Sequence, residues 1–393
     1  MRILSVFGTR PEAIKMAPIV MALRALPGVE SRVCVTGQHR RMLDDTLAIF
    51  GVKPDDDLDI MTGDQTLAEI SARVLSGLDP IMRSYRPDFV LVQGDTATST
   101  AAALAAFFNK VPVGHVEAGL RTGDLMSPWP EEANRRLTAV VSNRHYAPTD
   151  KARRALLAEG YPASSILVTG NTVIDALLHV ADEVTAPGPV RDRLGARFDW
   201  LDAGKRMILV TGHRRESFGD GFIRICTALR ELAKRDGVQI VYPVHLNPNV
   251  RQPVFDYLAN VPAISLIEPQ DYRSFVYLMT RASLILTDSG GVQEEAPALG
   301  KPVLVMRDTS ERMEAVEAGV ARLVSTDPAR IVGHVSDLLD DPRRYAAMAG
   351  GANPFGDGRA TARIVADLLE RAGVAPLHVP ARPKPAIAVA AEA

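Results

Sequence analysis

The chain has 393 residues, of which 47% are hydrophobic, and its 45 basic and 47 acidic residues leave a formal net charge of −2. This length favours two domains over one, and the near-neutral balance argues against the overall positive field of nucleic-acid-binding proteins. The two cysteines, Cys34 and Cys226, lie far apart and outside any C-x-x-C pattern. A disulfide framework or a structural zinc site is therefore not expected.

The first residues, MRILSVFGTRPE, lack the long apolar region of a secretory signal peptide. No run of the sequence reaches the roughly 18 apolar residues that a transmembrane helix needs. We therefore predict a cytoplasmic protein that binds neither membranes nor nucleic acid.

Short apolar runs alternate with helical patterns along the chain, an order typical of parallel sheets covered by helices on both faces. In the first half the predicted strands are residues 2–7, 31–36, 88–93 and 111–116, with two more near 146 and 168. In the second half they are residues 206–212, 238–243, 263–267, 282–288, 301–306 and 321–324. The pattern predicts an α/β fold of two doubly wound, Rossmann-like domains with a cleft between them.

The two groups of strands are separated by one helical segment and a Pro-, Gly- and Arg-containing stretch. We expect an N-terminal domain at 1–170 and a C-terminal domain at 171–365, with a last helix near 358–372 that packs back on the N-terminal domain. The Pro- and Ala-rich tail, 374–393, has no helical or strand period, and we expect it to be disordered.

Ligands of such folds bind beyond the carboxyl ends of the strands, so the residues that follow each predicted strand are the candidates. After the first strand, Thr9-Arg10-Pro11-Glu12 fits a capping box at the start of a helix. A helix N-terminus attracts anions, and Arg10 stands there with Lys15 about one turn further on. The alternative is a well-capped helix with two solvated cations.

A second candidate segment is Ser289-Gly290-Gly291, which lies between a predicted strand and a helix. Two glycines allow an oxyanion to approach the backbone closely, and Ser289 adds a hydroxyl group. Glu294 and Glu295 follow, where a carboxylate could accept the hydroxyls of a ribose. A Gly-rich turn with a structural role is the alternative.

A histidine, His213, follows directly after a strand of the second half and is itself followed by Arg214 and Arg215. An imidazole can donate a hydrogen bond to a phosphate or carry a proton near neutral pH. A lone histidine can equally be structural, but the position at a strand end favours a function.

Three acids, Asp95, Glu117 and Glu131, belong to segments that follow neighbouring strands; the last two lie in the segment 115–136. Carboxylates that crowd together raise one another's pKa, which suits general acid–base catalysis. The alternative is that nearby cations pair with them structurally, and the candidates are Arg121, Arg135 and Arg136.

Several cofactor signatures are absent from the sequence. It contains no G-x-G-x-x-G after a strand, no G-x-x-x-x-G-K-[ST] and no H-E-x-x-H. The residues around Ser289 read T-D-S-G-G, which differs from the G-x-S-x-G of serine hydrolases. We therefore expect no cofactor and no metal, but a diphosphate pocket that faces a set of carboxylates.

Taken together, these segments resemble the bacterial, non-hydrolysing UDP-N-acetylglucosamine 2-epimerases, and the resemblance extends from residue 1 to about 370. The motifs that carry it are GTRPEAIKMAP, GDTATS, HVEAGLRTGDL, SPWPEEANR, GNTVIDAL, TGHRRESFG, YPVHLNPNV, TDSGGVQEEAP and GKPVLVMRD. The family is similar in fold to the two-domain GT-B glycosyltransferases. Its members interconvert UDP-N-acetylglucosamine and UDP-N-acetylmannosamine, a precursor of surface polysaccharides.

The resemblance also implies roles for single residues. The diphosphate, ribose and uracil of the substrate would be bound by Arg10, Gln270, Phe275, Ser289, Gly290, Gly291, Glu295 and Arg312. The sugar would face Lys15, Asp95, Glu117 and Glu131, and His213 would lie beside the leaving group. We expect Asp95, Glu117, Glu131 and His213 to be the catalytic residues.

The implied reaction is elimination of UDP to a 2-acetamidoglucal, followed by re-addition with inversion at C2. The alternative enzyme is a C2 epimerase of another UDP-sugar, such as a diacetamido uronic acid. A hydrolysing epimerase, a glycosyltransferase of similar fold and a catalytically silent nucleotide-sugar sensor are further alternatives. Three carboxylates and a histidine argue against the sensor, which needs no acid–base groups.

Family members are often homodimers, and many bind a second UDP-N-acetylglucosamine as an activator. The matching positions here are Gln38, His39, Gln65, Arg214 and His245. In some members the position of Arg41 is Gln and that of Asp64 is Arg, and this chain differs from them at both positions. The resemblance implies activation by a second substrate molecule. Gln93 replaces a His that often precedes Gly-Asp-Thr, and Met313 replaces a common Pro; we expect neither change to affect the chemistry.

Overall fold

The structure is a computed structural model that describes residues 1–37, 40–63 and 65–373. Gln38, His39, Asp64 and the tail 374–393, on which some of the expectations above depend, lie outside the described residues. The chain divides into two compact units. The first comprises Met1–Ala176 and the described residues from Phe355 onward, and the second is Leu177–Pro354.

In the described part of the first unit, seven parallel strands form one sheet in the order β3-β2-β1-β4-β5-β6-β7. The central strands are apolar and buried on both faces, as parallel strands between helices must be. Their bounds are β1 (Arg2–Phe7), β2 (Glu30–Val35), β3 (Asp56–Asp57), β4 (Phe89–Gln93), β5 (Val113–Val116), β6 (Arg144–Ala147) and β7 (Ile166–Val168).

The helices that cover this sheet begin mostly at threonine caps, whose hydroxyl groups accept a backbone N–H of the first turn. They are α1 (Arg10–Arg24), α2 (Arg40–Ile49), α3 (Leu67–Tyr85), α4 (Ala97–Phe108), α5 (Glu131–Val141) and α6 (Asp150–Ala158). The next helix, α7 (Thr172–Thr185), starts in the first unit and ends in the second.

In the second unit, six parallel strands form a sheet in the order β10-β9-β8-β11-β12-β13 over its described residues. The strands are β8 (Arg206–Thr211), β9 (Val238–Pro243), β10 (Ile264–Ile267), β11 (Leu284–Thr287), β12 (Val303–Val305) and β13 (Ala321–Leu323). The helices are α8 (Pro189–Arg197), α9 (Asp220–Leu232), α10 (Pro248–Leu258), α11 (Tyr272–Arg281), α12 (Gly290–Glu295), α13 (Met313–Glu317), α14 (Pro328–Asp340) and α15 (Pro342–Ala349).

Every strand predicted from the sequence coincides with a strand of the structure, and the prediction of two doubly wound α/β sheets is confirmed. The two-residue strand β3 was not predicted, because its residues, Asp56 and Asp57, are both acidic. Among the described helices, none is long and apolar enough to cross a membrane.

The last helix, α16 (Ala360–Arg371), belongs to the first unit and packs against α1. Its Asp367 is buried and accepts hydrogen bonds from the Arg144 guanidinium of β6 and from the Tyr146 hydroxyl group at 3.0 Å. A buried ion pair between the sheet and the last helix therefore fixes that helix on the first unit.

Both sheets reverse their strand order at one point, between β1 and β4 in the first sheet and between β8 and β11 in the second. Ligands of open α/β sheets bind at such switch points, beyond the carboxyl ends of the strands. Arg10 and Asp95 follow β1 and β4, while His213 and Ser289 follow β8 and β11. The topology thus brings predicted site residues to the switch point of each sheet.

Candidate active site

The start of α1 is organised by Glu12, which forms the predicted capping box with Thr9. Its carboxylate accepts the N–H groups of Gly8 and Thr9 at 3.0 and 2.8 Å, and the hydroxyl group of Thr96 at 2.7 Å. Burial raises the pKa of Glu12, although these hydrogen bonds oppose the shift. Because Thr96 caps α4, Glu12 connects the start of α1, where Arg10 lies, with the loop that carries Asp95.

Lys15 and Glu117 form a nearly buried ion pair in the first unit, with side chains 16% and 6% exposed. The Lys15 ammonium group donates to both carboxylate oxygens of Glu117, at 2.6 and 2.7 Å. Asn171 Nδ2 donates to the same carboxylate at 2.8 Å, and the Gln93 side-chain amide also donates to it. Glu117 has a backbone φ of 65°, a conformation that non-glycine residues rarely adopt and that clusters at functional sites.

Asp95 lies at the end of β4 and pairs with Arg135, whose Nε lies 2.8 Å from its Oδ2. Burial raises the pKa of Asp95; the positive charge of Arg135 opposes this shift, and the negative charge of Glu117 adds to it. Arg135 therefore pairs with Asp95, as the structural interpretation of this acid predicted. The carboxyl group is nonetheless shifted toward its protonated form, as an acid–base group requires.

Glu131 is the first residue of α5 and is half-buried. In the segment 115–136, β5 ends at Val116 and α5 begins at Glu131, so the loop between them is shorter than the segment. The neighbouring Glu132, which the sequence did not single out, is fully buried. It accepts the N–H groups of Thr122 and Gly123 and pairs with Arg135 and Arg136, so it shapes this loop.

In the second unit, His213 follows β8 beside the fully buried Asp288. The His213 ring stacks on His245 with a centroid separation of 5.5 Å. Burial lowers the pKa of His213; Asp288 opposes that shift, and the charges of Arg214 and His245 add to it. The balance of these effects favours the neutral form of the imidazole in the ligand-free protein.

The Ser289-Gly290-Gly291 segment begins α12, which is only six residues long. A Cβ atom at Gly290 would lie 3.4 Å from the Arg312 guanidinium, so glycine allows the two to lie side by side. Arg312 also donates to Glu294 and Glu311, both at 2.8 Å. The family resemblance assigned both Arg312 and this segment to the nucleotide, and the structure places them side by side.

The residues assigned to the nucleoside lie on and near α11 and α12. Glu295 is buried and accepts the hydroxyl group of Tyr272 at 2.7 Å. Gln270 accepts a hydrogen bond from Arg197 at 2.8 Å, and Phe275 is half-buried. Tyr272 was missed by the sequence reasoning because its role depends on a contact with a distant helix.

Of the residues that match the activator positions, Gln65 uses its amide within its own loop. It donates to the Ile60 carbonyl at 2.5 Å and accepts the Thr62 N–H at 3.0 Å. Arg214 and His245 lie in the second unit. Arg214 follows His213 in the chain, and the ring of His245 stacks on the ring of His213. Gln38 and His39 lie outside the described residues.

Gln93, a departure from the family pattern that we expected not to affect the chemistry, contacts a predicted catalytic residue, because its amide donates to the carboxylate of Glu117. Asn171 and Asp288 were also missed. Gln93 and Asp288 could have been found by the strand-end rule, since Gln93 is the last residue of β4 and Asp288 directly follows β11.

Comparison with known proteins identifies the family. The sequence profile described as UDP-N-acetylglucosamine 2-epimerase matches residues 21–369. The UDP-N-acetylglucosamine 2-epimerase of Escherichia coli K12 is 59% identical over 366 residues, which cover 93% of this chain and 97% of that protein.

Solved structures agree. The crystal structure of UDP-GlcNAc 2-epimerase from Neisseria meningitidis bound to UDP-GlcNAc has a TM-score of 0.86 and 49% identity, covering 94% of this chain and all of that chain (100%). The Methanocaldococcus jannaschii enzyme in complex with UDP-GlcNAc and UDP has a TM-score of 0.76 and 33% identity, with 94% of this chain and 100% of that chain covered. The chain therefore belongs to the UDP-N-acetylglucosamine 2-epimerase family.

Proposed function

We propose that this protein interconverts UDP-N-acetylglucosamine and UDP-N-acetylmannosamine by eliminating and re-adding UDP. The observation that carries the proposal is the buried pair of Lys15 and Glu117 at the switch-point end of a sheet that also presents Asp95. Relatives 50 to 59% identical to this chain bear the name of this activity. The family and the enzyme class predicted from the sequence are confirmed.

The chemistry explains why carboxylates are needed. The proton on C2 of the sugar is too weakly acidic for a side-chain base to remove directly. When the C1–O bond breaks, its electron pair leaves with the diphosphate, and the positive charge that develops at C1 acidifies the C2 proton. A carboxylate then takes this proton and leaves a 2-acetamidoglucal. Return of a proton to the opposite face and re-addition of UDP complete the inversion.

The carboxylates of the first unit differ in their surroundings, which suits two distinct proton-transfer roles. Glu117 is faced by an ammonium group and two amide donors. Asp95 is shifted toward its protonated form by burial. We assign proton transfer at C2 to Asp95, Glu117 and Glu131, with Lys15 orienting Glu117 and the sugar.

We assign the nucleotide to the residues that the family resemblance singled out. Tyr272 holds the carboxylate of Glu295, which is suited to accept the ribose hydroxyl groups. Arg312 beside Gly290 and the side chain of His213 are suited to the negative charge that develops on the leaving diphosphate. The full set is Arg10, His213, Gln270, Phe275, Ser289, Gly290, Gly291, Glu295 and Arg312.

The experiment that tests this function is incubation of the purified protein with UDP-N-acetylglucosamine in deuterated water, followed by NMR. We expect UDP-N-acetylmannosamine with deuterium at C2 and no accumulating free UDP. Free UDP with N-acetylmannosamine would identify a hydrolysing enzyme instead. Absence of both turnover and exchange would favour another UDP-sugar or a sensor.

The surface of the first unit favours a homodimer. Phe107 and Phe108 at the end of α4, and Leu137 and Val140 on α5, are each more than half exposed. The two helices pack together through the hydroxyl groups of Thr100 and Thr138, 3.1 Å apart. Large exposed apolar side chains on two neighbouring helices are typical of interfaces, and a second copy of this chain is the partner that we assign to this α4–α5 surface.

We further propose that a second UDP-N-acetylglucosamine activates the enzyme through Gln38, His39, Gln65, Arg214 and His245. The stacking of His245 on His213 supports this assignment, since it connects an activator residue with a catalytic one. Initial rates should then depend sigmoidally on substrate concentration, and His245→Ala should make the dependence hyperbolic.

A further inference from the structure

A fully buried carboxylate, Asp288, determines how His213 is held. Asp288 follows β11 and has no exposed surface, whereas the His213 side chain is 41% exposed. One carboxylate oxygen, Oδ2, accepts the backbone N–H groups of His213 at 2.7 Å and Arg214 at 2.8 Å. Asp288 therefore fixes the backbone of the segment that carries the imidazole.

The other oxygen, Oδ1, lies 3.4 Å from Nδ1 of His213 and accepts no hydrogen bond from the described residues. A buried carboxylate oxygen without a donor is costly, so a nearby N–H that can turn toward it is strongly favoured. The imidazole Nδ1–H is such a donor. With that tautomer, Nε2 carries the lone pair and is available to a ligand.

The backbone beside this pair is tightly packed. A Cβ atom at Gly212 would lie 3.1 Å from the Tyr242 hydroxyl oxygen and 3.7 Å from Oδ2 of Asp288. The Tyr242 hydroxyl group donates to the Gly212 carbonyl at 3.4 Å. This close approach leaves the segment little freedom, so the imidazole ring is positioned before any ligand arrives.

The charged and titratable groups that act on the imidazole are Asp288, Arg214 and His245. Arg214 and His245 disfavour a second proton on the ring, and Asp288 favours it. A diphosphate beside Nε2 would add negative charge on the opposite side of the ring from Asp288. Protonation of the imidazole is then favoured from both sides.

We propose that Asp288 is a positioning residue for His213, and that it holds the Nδ1–H so that Nε2 takes up a proton from solvent when the diphosphate of the UDP-sugar binds. The inference rests on the proposed function of this site. During elimination the C1–O bond breaks, its electrons pass to the diphosphate oxygen, and the Nε2–H donates a hydrogen bond to that oxygen. On re-addition the oxygen attacks C1, and the proton returns to solvent when the sugar nucleotide leaves.

The direct test measures proton uptake on binding. Titration calorimetry with UDP-N-acetylglucosamine in two buffers of different ionisation enthalpy is suitable, because its phosphates are diesters that do not titrate near neutral pH. We expect uptake of a substantial fraction of one proton by the wild type at pH 7.5, a smaller uptake by Asp288→Asn, and none by His213→Asn. Equal uptake by Asp288→Asn and the wild type would overturn the proposal.

A double-mutant cycle separates positioning from structural damage. We expect Asp288→Asn to lower kcat about 10- to 100-fold, as loss of an orienting carboxylate does, with a smaller change in KM. In the His213→Asn background the same substitution should have almost no further effect. If Asp288→Asn lowers kcat equally in both backgrounds, its role is structural and the inference is wrong.

A matched control is Asp341→Asn, because Asp341 also accepts two backbone N–H groups, at 2.9 and 3.2 Å, but caps a helix in the second unit. It should leave proton uptake and kcat unchanged. Nitrogen-15 NMR of His213 in the ligand-free wild type gives a readout that does not need turnover. We expect the Nδ1–H tautomer; finding Nε2–H would overturn the inference even if the protein is an active epimerase, whereas Nδ1–H without turnover would contradict the proposed function alone.

Discussion

Lys15 donates to both carboxylate oxygens of Glu117, at 2.6 and 2.7 Å, across 102 residues of sequence. The fold brings them together because α1 starts directly after β1, while Glu117 follows β5 on the far side of β4. Both side chains are largely excluded from water, where an unpaired charge would be costly. Each residue therefore requires the other, and the pair fixes the direction of the Glu117 carboxylate.

The first prediction concerns this pair. Glu117→Gln keeps the shape of the side chain but removes its ability to accept a proton. We expect kcat to fall about 10²- to 10⁴-fold, the usual contribution of general acid–base catalysis, together with the rate of deuterium incorporation at C2. The control is Glu159→Gln, which removes a partly exposed partner of Arg121 and should leave the rate near that of the wild type. A Glu117→Gln enzyme within a few-fold of the wild-type kcat would contradict the assignment.

The second prediction concerns Gln93, whose amide donates to Glu117. Gln93→Leu removes the donor from a buried carboxylate, and we expect kcat to fall about 10- to 100-fold, as for other orienting partners. Gln93→His, the residue often found in the family, supplies a ring N–H and should stay within a few-fold of the wild type. Steady-state kinetics of the two variants test this prediction. A similar loss of kcat in both would show that the size of the side chain, and not its hydrogen bond, matters at this position.

Five of the proposed site residues share one property that makes them predictable from the residue pattern. Arg10, Asp95, Glu117, His213 and Ser289 all follow parallel strands, and the carboxyl ends of parallel strands meet at one edge of a sheet. Strand positions were equally predictable, because strands buried on both faces are continuous apolar runs.

The residues that the sequence analysis missed reach the proposed site residues through tertiary contacts. Asn171 reaches Glu117 across 54 residues, and Tyr272 reaches Glu295 from another helix. Local sequence patterns do not predict contacts between residues that lie so far apart in the sequence. Glu131 and Glu132 are adjacent identical residues, and the sequence does not show that Glu132 is the one that the fold buries fully.

The third prediction links Asp95 to the pH dependence of stability. Burial raises its pKa in the folded state, so its favourable contribution is present at low pH and is lost as the pH rises through the folded-state pKa. At pH 7 the charged carboxylate is therefore destabilising, and Asp95→Asn should raise Tm while it lowers kcat. The gain in Tm should shrink as the pH falls toward 4.

Asp357 provides a control of opposite sign for this prediction. Its hydrogen bonds with Arg363 lower its pKa, so its contribution is present at neutral pH and is lost as the pH falls. Asp357→Asn should consequently lower Tm slightly at pH 7 and have no effect in acid. Thermal unfolding of both variants between pH 4 and 8 tests the signs; a lower Tm for Asp95→Asn at pH 7 would show that its pairing with Arg135 outweighs the cost of burial.

The fourth prediction concerns the α4–α5 surface. Phe108→Glu combined with Val140→Glu places two charges among exposed apolar side chains. Burying these charges in an interface is unfavourable, so the variant should sediment as a monomer in analytical ultracentrifugation at concentrations where we expect the wild type to sediment as a dimer. Leu246→Glu, at an exposed apolar residue of the second unit, should sediment like the wild type. If the double variant stays dimeric, the interface lies elsewhere.

The fifth prediction concerns the buried ion pair between Arg144 and Asp367, whose side chains are 8% and 9% exposed. Asp367→Ala leaves the Arg144 charge buried without its partner, which costs about 3–5 kcal/mol in the free energy of unfolding. The exposed pair of Arg251 and Glu268 provides the comparison, since solvent screens exposed ion pairs and Glu268→Ala should have a much smaller effect on the free energy of unfolding. Urea unfolding followed by far-UV circular dichroism measures the free energy of unfolding of both variants.

Because the pair of Arg144 and Asp367 fixes α16 on the first unit, Asp367→Ala should also increase amide hydrogen exchange along α16 more than elsewhere in that unit. An equal increase in exchange across the whole first unit would show that apolar contacts hold the helix instead.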